Sequence, residues 1–163
     1  MVDIEVLMKE GKISRIRELE IDRYVNFFEV SYNDNLEHCK FNKEFFPRWS
    51  IISGYYAMHD ITKLLLAKRF GLKIELEVHA TTIKVLRELI KNKELIKLIE
   101  RGYKEFISLA NDLAEAKKQR TEAQYYTGTV FMKEHFQFIS KEFLSDTVEP
   151  YIKRIKKLLE ASE

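Results

Sequence analysis

The chain has 163 residues, 45% hydrophobic and 33% charged, enough for one domain over 1–163 with its own core. A formal charge of +2 demands no polyanionic partner, and a single cysteine, Cys39, excludes an intramolecular disulfide. No apolar run approaches the roughly 20 residues of a membrane span, and the acid-bearing start MVDIEVLMKEGK lacks the apolar core of a signal peptide, so a cytoplasmic protein with no membrane role is expected.

Asp3 to Glu10 reads as a short helix closed by Gly11. A longer amphipathic helix follows, with Ile21, Tyr24, Phe28, Tyr32, Leu36 and Cys39 at helical spacing and an end blurred by Asn33, Asp34 and Asn35. The clearest element starts at Pro47, suited to a first turn, and runs through Phe70 to a Gly71 cap. It is apolar nearly all round, which places it at the centre of a bundle or beneath a second subunit. Gly54 in its middle predicts close approach by another helix. Further helices are expected from about Val78 to Lys91 and from near Lys93 to about Tyr126.

Between Gly128 and Ser140, Val130, Met132, Phe136 and Phe138 alternate like extended chain, so this segment is expected to be a loop packed on the body. The last helix carries Ile152, Ile155, Leu158 and Leu159. Pro150 falls either in its first turn after a Thr147 cap or at a kink in a longer helix begun near Ser140. No strand is expected. The fold class is all-α, an up-down bundle of four to five main helices.

The 28 basic residues are mostly interleaved with acids at helical spacing. One local excess, Lys153, Arg154, Lys156 and Lys157, reads as a charged outer helix face ahead of a nucleic-acid patch. Two further charges fall on apolar stripes. Asp60 continues the series Trp49, Ser53 and Tyr56, while Arg120 continues Ile99, Tyr103, Phe106, Ala110 and Leu113. Buried charges of opposite sign imply either a structural ion pair or a polar functional site.

There is no Gly-rich phosphate loop and no His-Glu-x-x-His helix, and the histidines at 38, 59, 79 and 135 lack zinc-site spacing. No metal and no cofactor is expected. Arg120 can clamp a phosphate, with Lys117 beside it and Tyr125 and Tyr126 able to stack on a base. The competing reading pairs Arg120 with Asp60 or Glu122 and leaves the tyrosines to cap the core. Tyr55 and Tyr56 read as core or interface aromatics, and His59 and His79 as helix-face or capping histidines.

Several segments recur in a family order: Leu7-Met8-Lys9-Glu10-Gly11-Lys12-Ile13, Arg48-Trp49-Ser50, Gly54-Tyr55-Tyr56-Ala57-Met58-His59-Asp60, His79 at a helix start, and Ala116-Lys117-Lys118-Gln119-Arg120-Thr121-Glu122-Ala123-Gln124-Tyr125. In that order the chain resembles the HEPN domain family, in particular its small stand-alone prokaryotic members. The resemblance implies a helical bundle that dimerises, often encoded beside a minimal nucleotidyltransferase in a toxin–antitoxin pair. Many members are metal-independent endoribonucleases whose dimer joins two sites, each an Arg followed a few residues later by a His. Arg120 matches that arginine, but Tyr125 and Tyr126 stand where the histidine would fall, and tyrosine is a poor base at neutral pH. Asp60 falls where related members carry a polar His or Asp.

The expectation is a homodimeric nucleotide- or RNA-phosphate-binding protein with contacts from Arg120, Asp60, Tyr125, Tyr126 and Lys117. One alternative is a divergent endoribonuclease in which Arg120 acts with Tyr125, Tyr126 or His59. The other is a structural dimerisation module that holds the nucleotidyltransferase.

Overall fold

The computed structural model describes the backbone of residues 4–122 and 129–161, and the side chains of 4–109 and 133–161. It is an all-α bundle. In chain order the elements are α1 (Ile4–Lys9), β1 (Ile13–Arg15), α2 (Glu18–Asn42), α3 (Pro47–Phe70), β2 (Leu72–Ile74), α4 (Val78–Leu89), α5 (Lys93–Glu122), α6 (Thr129–Phe143), a π-helical turn (Leu144–Val148) and α7 (Glu149–Glu160). Among the described residues no helix is long and apolar enough to cross a membrane.

Helix α3 is the axis of the bundle. It opens on Pro47 and closes on Gly71 in the left-handed conformation (φ 61°), whose N–H bonds the Ala67 carbonyl at 3.0 Å. Its Tyr55, Met58, Ile61 and Leu65 are sealed by Phe28, Tyr32, Leu36 and Cys39 of α2, by Leu95 and Ile99 of α5, and by Phe143, Val148, Tyr151 and Ile155. Thr62 and Tyr151 lock α3 to α7. Thr62 gives its hydroxyl hydrogen to the Met58 carbonyl at 2.7 Å, so the Tyr151 hydroxyl donates to Thr62 Oγ1 at 2.6 Å. Burial raises the Tyr151 phenol far above its usual range, which keeps that donor protonated.

Three expectations are corrected. First, a strand pair exists: β1 and β2 run antiparallel with Ile13 opposite Ile74, over a small core of Leu7, Leu66, Leu72 and Val85. Each strand has three residues, too few to show alternation in sequence. Second, residues 129–143 are helical, not a loop. From Phe136 the buried set is Phe136, Ser140, Phe143 and Leu144, a helical period, with Phe138 turned outward.

Third, Thr147 is not a cap. It lies in the π-helical turn that joins α6 to α7, and its buried Oγ1 has no hydrogen-bond partner. Pro150 has no N–H to bond residue 146 and its ring would crowd that carbonyl, so the backbone widens one turn earlier, with Glu149 N–H bonding Leu144 O.

A close helix crossing falls at Gly54. A methyl group there would stand 2.9 Å from Cys39 Sγ, 3.0 Å from Val148 Cγ2 and 3.1 Å from Phe143 Cε1. Gly102 differs, because its added methyl would meet mainly the mobile Met58 thioether at 3.0 and 3.2 Å. Gly54→Ala is expected to lower unfolding free energy in urea by about 1–3 kcal/mol despite alanine's helical preference. Gly102→Ala should be close to neutral in the same titration.

Candidate functional site

Two polar residues in succession, His59 and Asp60, stand on α3 where α2, α3 and α4 converge. Asp60 is only 6% exposed. Ser31 Oγ donates to its Oδ2 at 2.7 Å and Asn35 Nδ2 donates to the same oxygen at 3.1 Å. Ser31 and Asn35 lie one turn apart on α2, so a single helix face delivers both donors. Among the described residues the carboxylate is thus held by neutral donors and not by a guanidinium or ammonium within ion-pair distance.

His59 is sealed at 2% exposure. Thr82 Oγ1 spends its hydrogen on the Val78 carbonyl at 2.7 Å, so the His59 Nε2–H donates to Thr82 at 3.2 Å. The lone pair then sits on Nδ1, which has no hydrogen-bond partner and lies 3.9 Å from Asp60 Oδ1. Burial holds this imidazole below its ordinary pKa of 6.5, against the pull of Asp60.

Glu77, in the left-handed region at φ 48°, turns the chain into α4, and the Thr81 and Thr82 hydroxyls fasten its first turn to Leu76 and Val78. His79 is thereby set against Tyr55, whose hydroxyl lies 2.7 Å from His79 Nδ1. Tyr55 is fully buried and its pKa is pushed well above the usual phenol range, so it keeps its hydrogen. Burial, then the neighbouring His59, hold His79 below 6.5 as well. The His79 ring stacks on Tyr103 of α5 at 5.6 Å, and Tyr55 stacks on Phe106 at 4.9 Å. Lys63, half-buried over the Phe28 ring at 5.0 Å, is shifted downward by burial and upward by Asp60.

Toward the α2–α3 turn the polar seam continues. Ser53 Oγ donates to the Trp49 carbonyl at 2.7 Å, so His38 Nδ1 donates to Ser53 at 3.0 Å. Beside the seam the surface is aromatic. Phe41 is 75% exposed, Phe45 64%, Phe46 59%, Trp49 60% and Tyr56 37%. The stripe through Trp49, Ser53, Tyr56 and Asp60 is therefore not uniformly buried. Ser53 and Asp60 face α2, while Trp49 and Tyr56 stand at its edge in solvent.

Of the residues singled out in sequence, Asp60 and His59 meet in this cluster. Tyr125 and Tyr126 lie outside the described residues, as do the side chains of Arg120 and Lys117. Helix α5 runs antiparallel to α3, with Gly102 against Met58 and Phe106 against Tyr55 and Tyr56. Arg120 follows Phe106 by 14 positions, about 21 Å of helix at about 1.5 Å per residue, directed away from Asp60. Sequence reasoning missed Ser31, Asn35 and Thr82. The only trace of the α2 pair in sequence is a polar line one position ahead of Tyr32 and Leu36, which does not distinguish it from ordinary surface.

Among the described residues no three His, Cys, Asp or Glu side chains are grouped to hold a metal ion. No protein-family model, curated protein or solved structure matches the chain.

The two lowered imidazoles tie stability to pH. The unfolded chain takes up protons near 6.5 while His59 and His79 resist them, so this contribution is complete above 6.5 and is lost as pH falls below it. Urea midpoints are expected to fall between about pH 7.5 and about pH 5.5, and His59→Gln should flatten that fall whatever it does to stability at neutral pH. A profile as steep in His59→Gln as in the parent would show that the proton is taken up elsewhere.

Proposed function

We propose that the protein is a homodimeric HEPN-like binding protein for nucleotide or RNA phosphates, working as the partner of a minimal nucleotidyltransferase in a toxin–antitoxin-type pair. The observation that carries this reading is the exposed aromatic face laid along the buried polar seam of α2 and α3. Large aromatic side chains each offer about 150–250 Å². At the exposures of Phe41, Phe45, Phe46, Trp49 and Tyr56, these rings leave on the order of 600 Å² in water, approaching the roughly 800 Å² per partner of a standard interface. A second copy would cover the flank of α3 at Trp49 and Tyr56, which are exposed among the described residues.

Arg120 and Lys117 supply the positive charge for a phosphate in this reading, and Tyr125 and Tyr126 the stacking surfaces. Asp60 and Arg120 sit at different levels of one chain's bundle, so a site using both draws them from two copies. Binding is favoured over cleavage by the state of His59. A general base must reach the proton it removes, and this imidazole is enclosed with its free nitrogen turned toward a carboxylate.

Two measurements test the reading. Trp49 is the only tryptophan, so its emission should shift to the blue with rising protein concentration in parallel with sedimentation as a dimer. Phe46→Glu should abolish both changes. In calorimetric titrations with mono- and dinucleotides, Arg120→Ala should weaken binding at least about tenfold, the loss of about 1.4 kcal/mol expected of a charge-assisted contact. Nucleotide affinity equal in the two proteins sinks the phosphate site, and a monomer at all concentrations sinks the shared one.

A further inference from the structure

Several surface lysines are mated to carboxylates. Lys68 pairs with Glu29, Lys97 with Glu94 and Lys141 with Glu44. Helix α7 carries three lysines without such a partner, gathered on one groove. Its Lys153, Lys156 and Lys157 enter no ion pair among the described residues, although Glu149 and Glu160 lie on the same helix. The three ammonium groups rim a groove of about 410 Å³ between α2 and α7, whose floor is Leu36 and Ile152 and whose far wall carries Lys40. Lys40 is already paired with Glu37 at 2.9 Å, and Lys156 is held over the Tyr32 ring at 5.6 Å.

We infer that the α2–α7 groove is a second anion site, which holds a short run of single-stranded RNA by its phosphodiester backbone without reading sequence. Lys153 and Lys157 stand one helical turn apart, about 6 Å along the axis, and Lys156 lies between them. Lysine acts here as a point charge, suited to phosphate oxygens in any orientation. No exposed ring lines the groove, since Tyr32 is 7% exposed and lies beneath Lys156, so bases find nothing to stack on. Glu149 and Glu160, toward its two ends, limit the length of backbone that fits. The Leu36 and Ile152 floor is almost closed at 8% and 4% exposure, which leaves little apolar surface for a peptide to bury. This site deepens the RNA-phosphate reading with residues that do not include Arg120.

The test is fluorescence anisotropy of a labelled oligouridylate across a salt series, with three proteins compared. Lys153→Ala/Lys156→Ala/Lys157→Ala removes the groove charges from exposed positions. Lys68→Ala/Lys97→Ala/Lys141→Ala removes the same net charge from paired lysines elsewhere. Each single-strand phosphate contact contributes about 0.7 to the slope of log affinity against log salt. The groove variant is therefore expected to lose about 2 from that slope, and the control variant much less. Equal losses in the two variants, or no RNA binding by the parent, overturn the inference. So does polyglutamate that displaces the RNA and binds with the same lysine dependence, since the groove would then be a site for acidic protein. Mononucleotide binding, tied to Arg120, should be unchanged in the groove variant, so failure of one site is distinguishable from failure of the other.

Discussion

An α-helix that is apolar on all sides has to be surrounded, and α3 organises the fold because it meets that requirement almost completely. Helix α2 folds back along it, α5 crosses a second side, and the rod of α6, the π-helical turn and α7 takes a third. How near these helices come is set by the absence of side chains at two points. Gly54 admits Cys39, Val148 and Phe143, while Gly102 admits Met58 and Tyr55. The π-helical turn belongs to the same constraint: it absorbs Pro150 while keeping Phe143, Leu144 and Val148 in the core.

Within this apolar frame α3 carries a polar interruption that burial alone would disfavour. Asp60 keeps its charge site near-enclosed by drawing two neutral donors from α2, while His59 draws one contact from α4 and leaves a nitrogen unmatched. A leucine pair at these positions would pack without any such matching, and replacement of buried polar groups by well-packed apolar ones is often neutral or better for stability. The cluster is thus poorly accounted for as a stabilising device. It lies alongside Trp49 and Tyr56, which reach solvent.

Long, strongly patterned elements were legible because burial and sequence period agree in them. Pro47 and Gly71 bracket α3, and the tight approach expected at Gly54 is present. The strands were hidden because three residues cannot display a period. Helix α6 was obscured by Phe138, an exposed aromatic at 61% that sits between buried positions and imitates alternation. At the site, Asp60 was conspicuous as a charge on an apolar stripe. Its partners were not, because serine and asparagine on an amphipathic helix look like ordinary surface residues until the partner helix is placed. Trp49 and Tyr56 misled in the opposite direction: their chemistry says core, and only the packing of α2 shows that the stripe's edge is left uncovered.

The arrangement of donors also bears on what kind of chemistry the cluster can support. Tyr55 is hydrogen-bonded to His79, Thr82 accepts from His59, and Ser31 and Asn35 converge on a single carboxylate oxygen. Each of these contacts fixes a ring or a carboxylate in place, and none lines up a nucleophile with a base. The hydroxyl of Ser53, 3.0 Å from His38, is tied to the Trp49 carbonyl. Side chains fixed in this way lose little further entropy when another surface packs over them. The polar seam of α2 and α3 is therefore held in one arrangement by hydrogen bonds that cross between the two helices and reach α4.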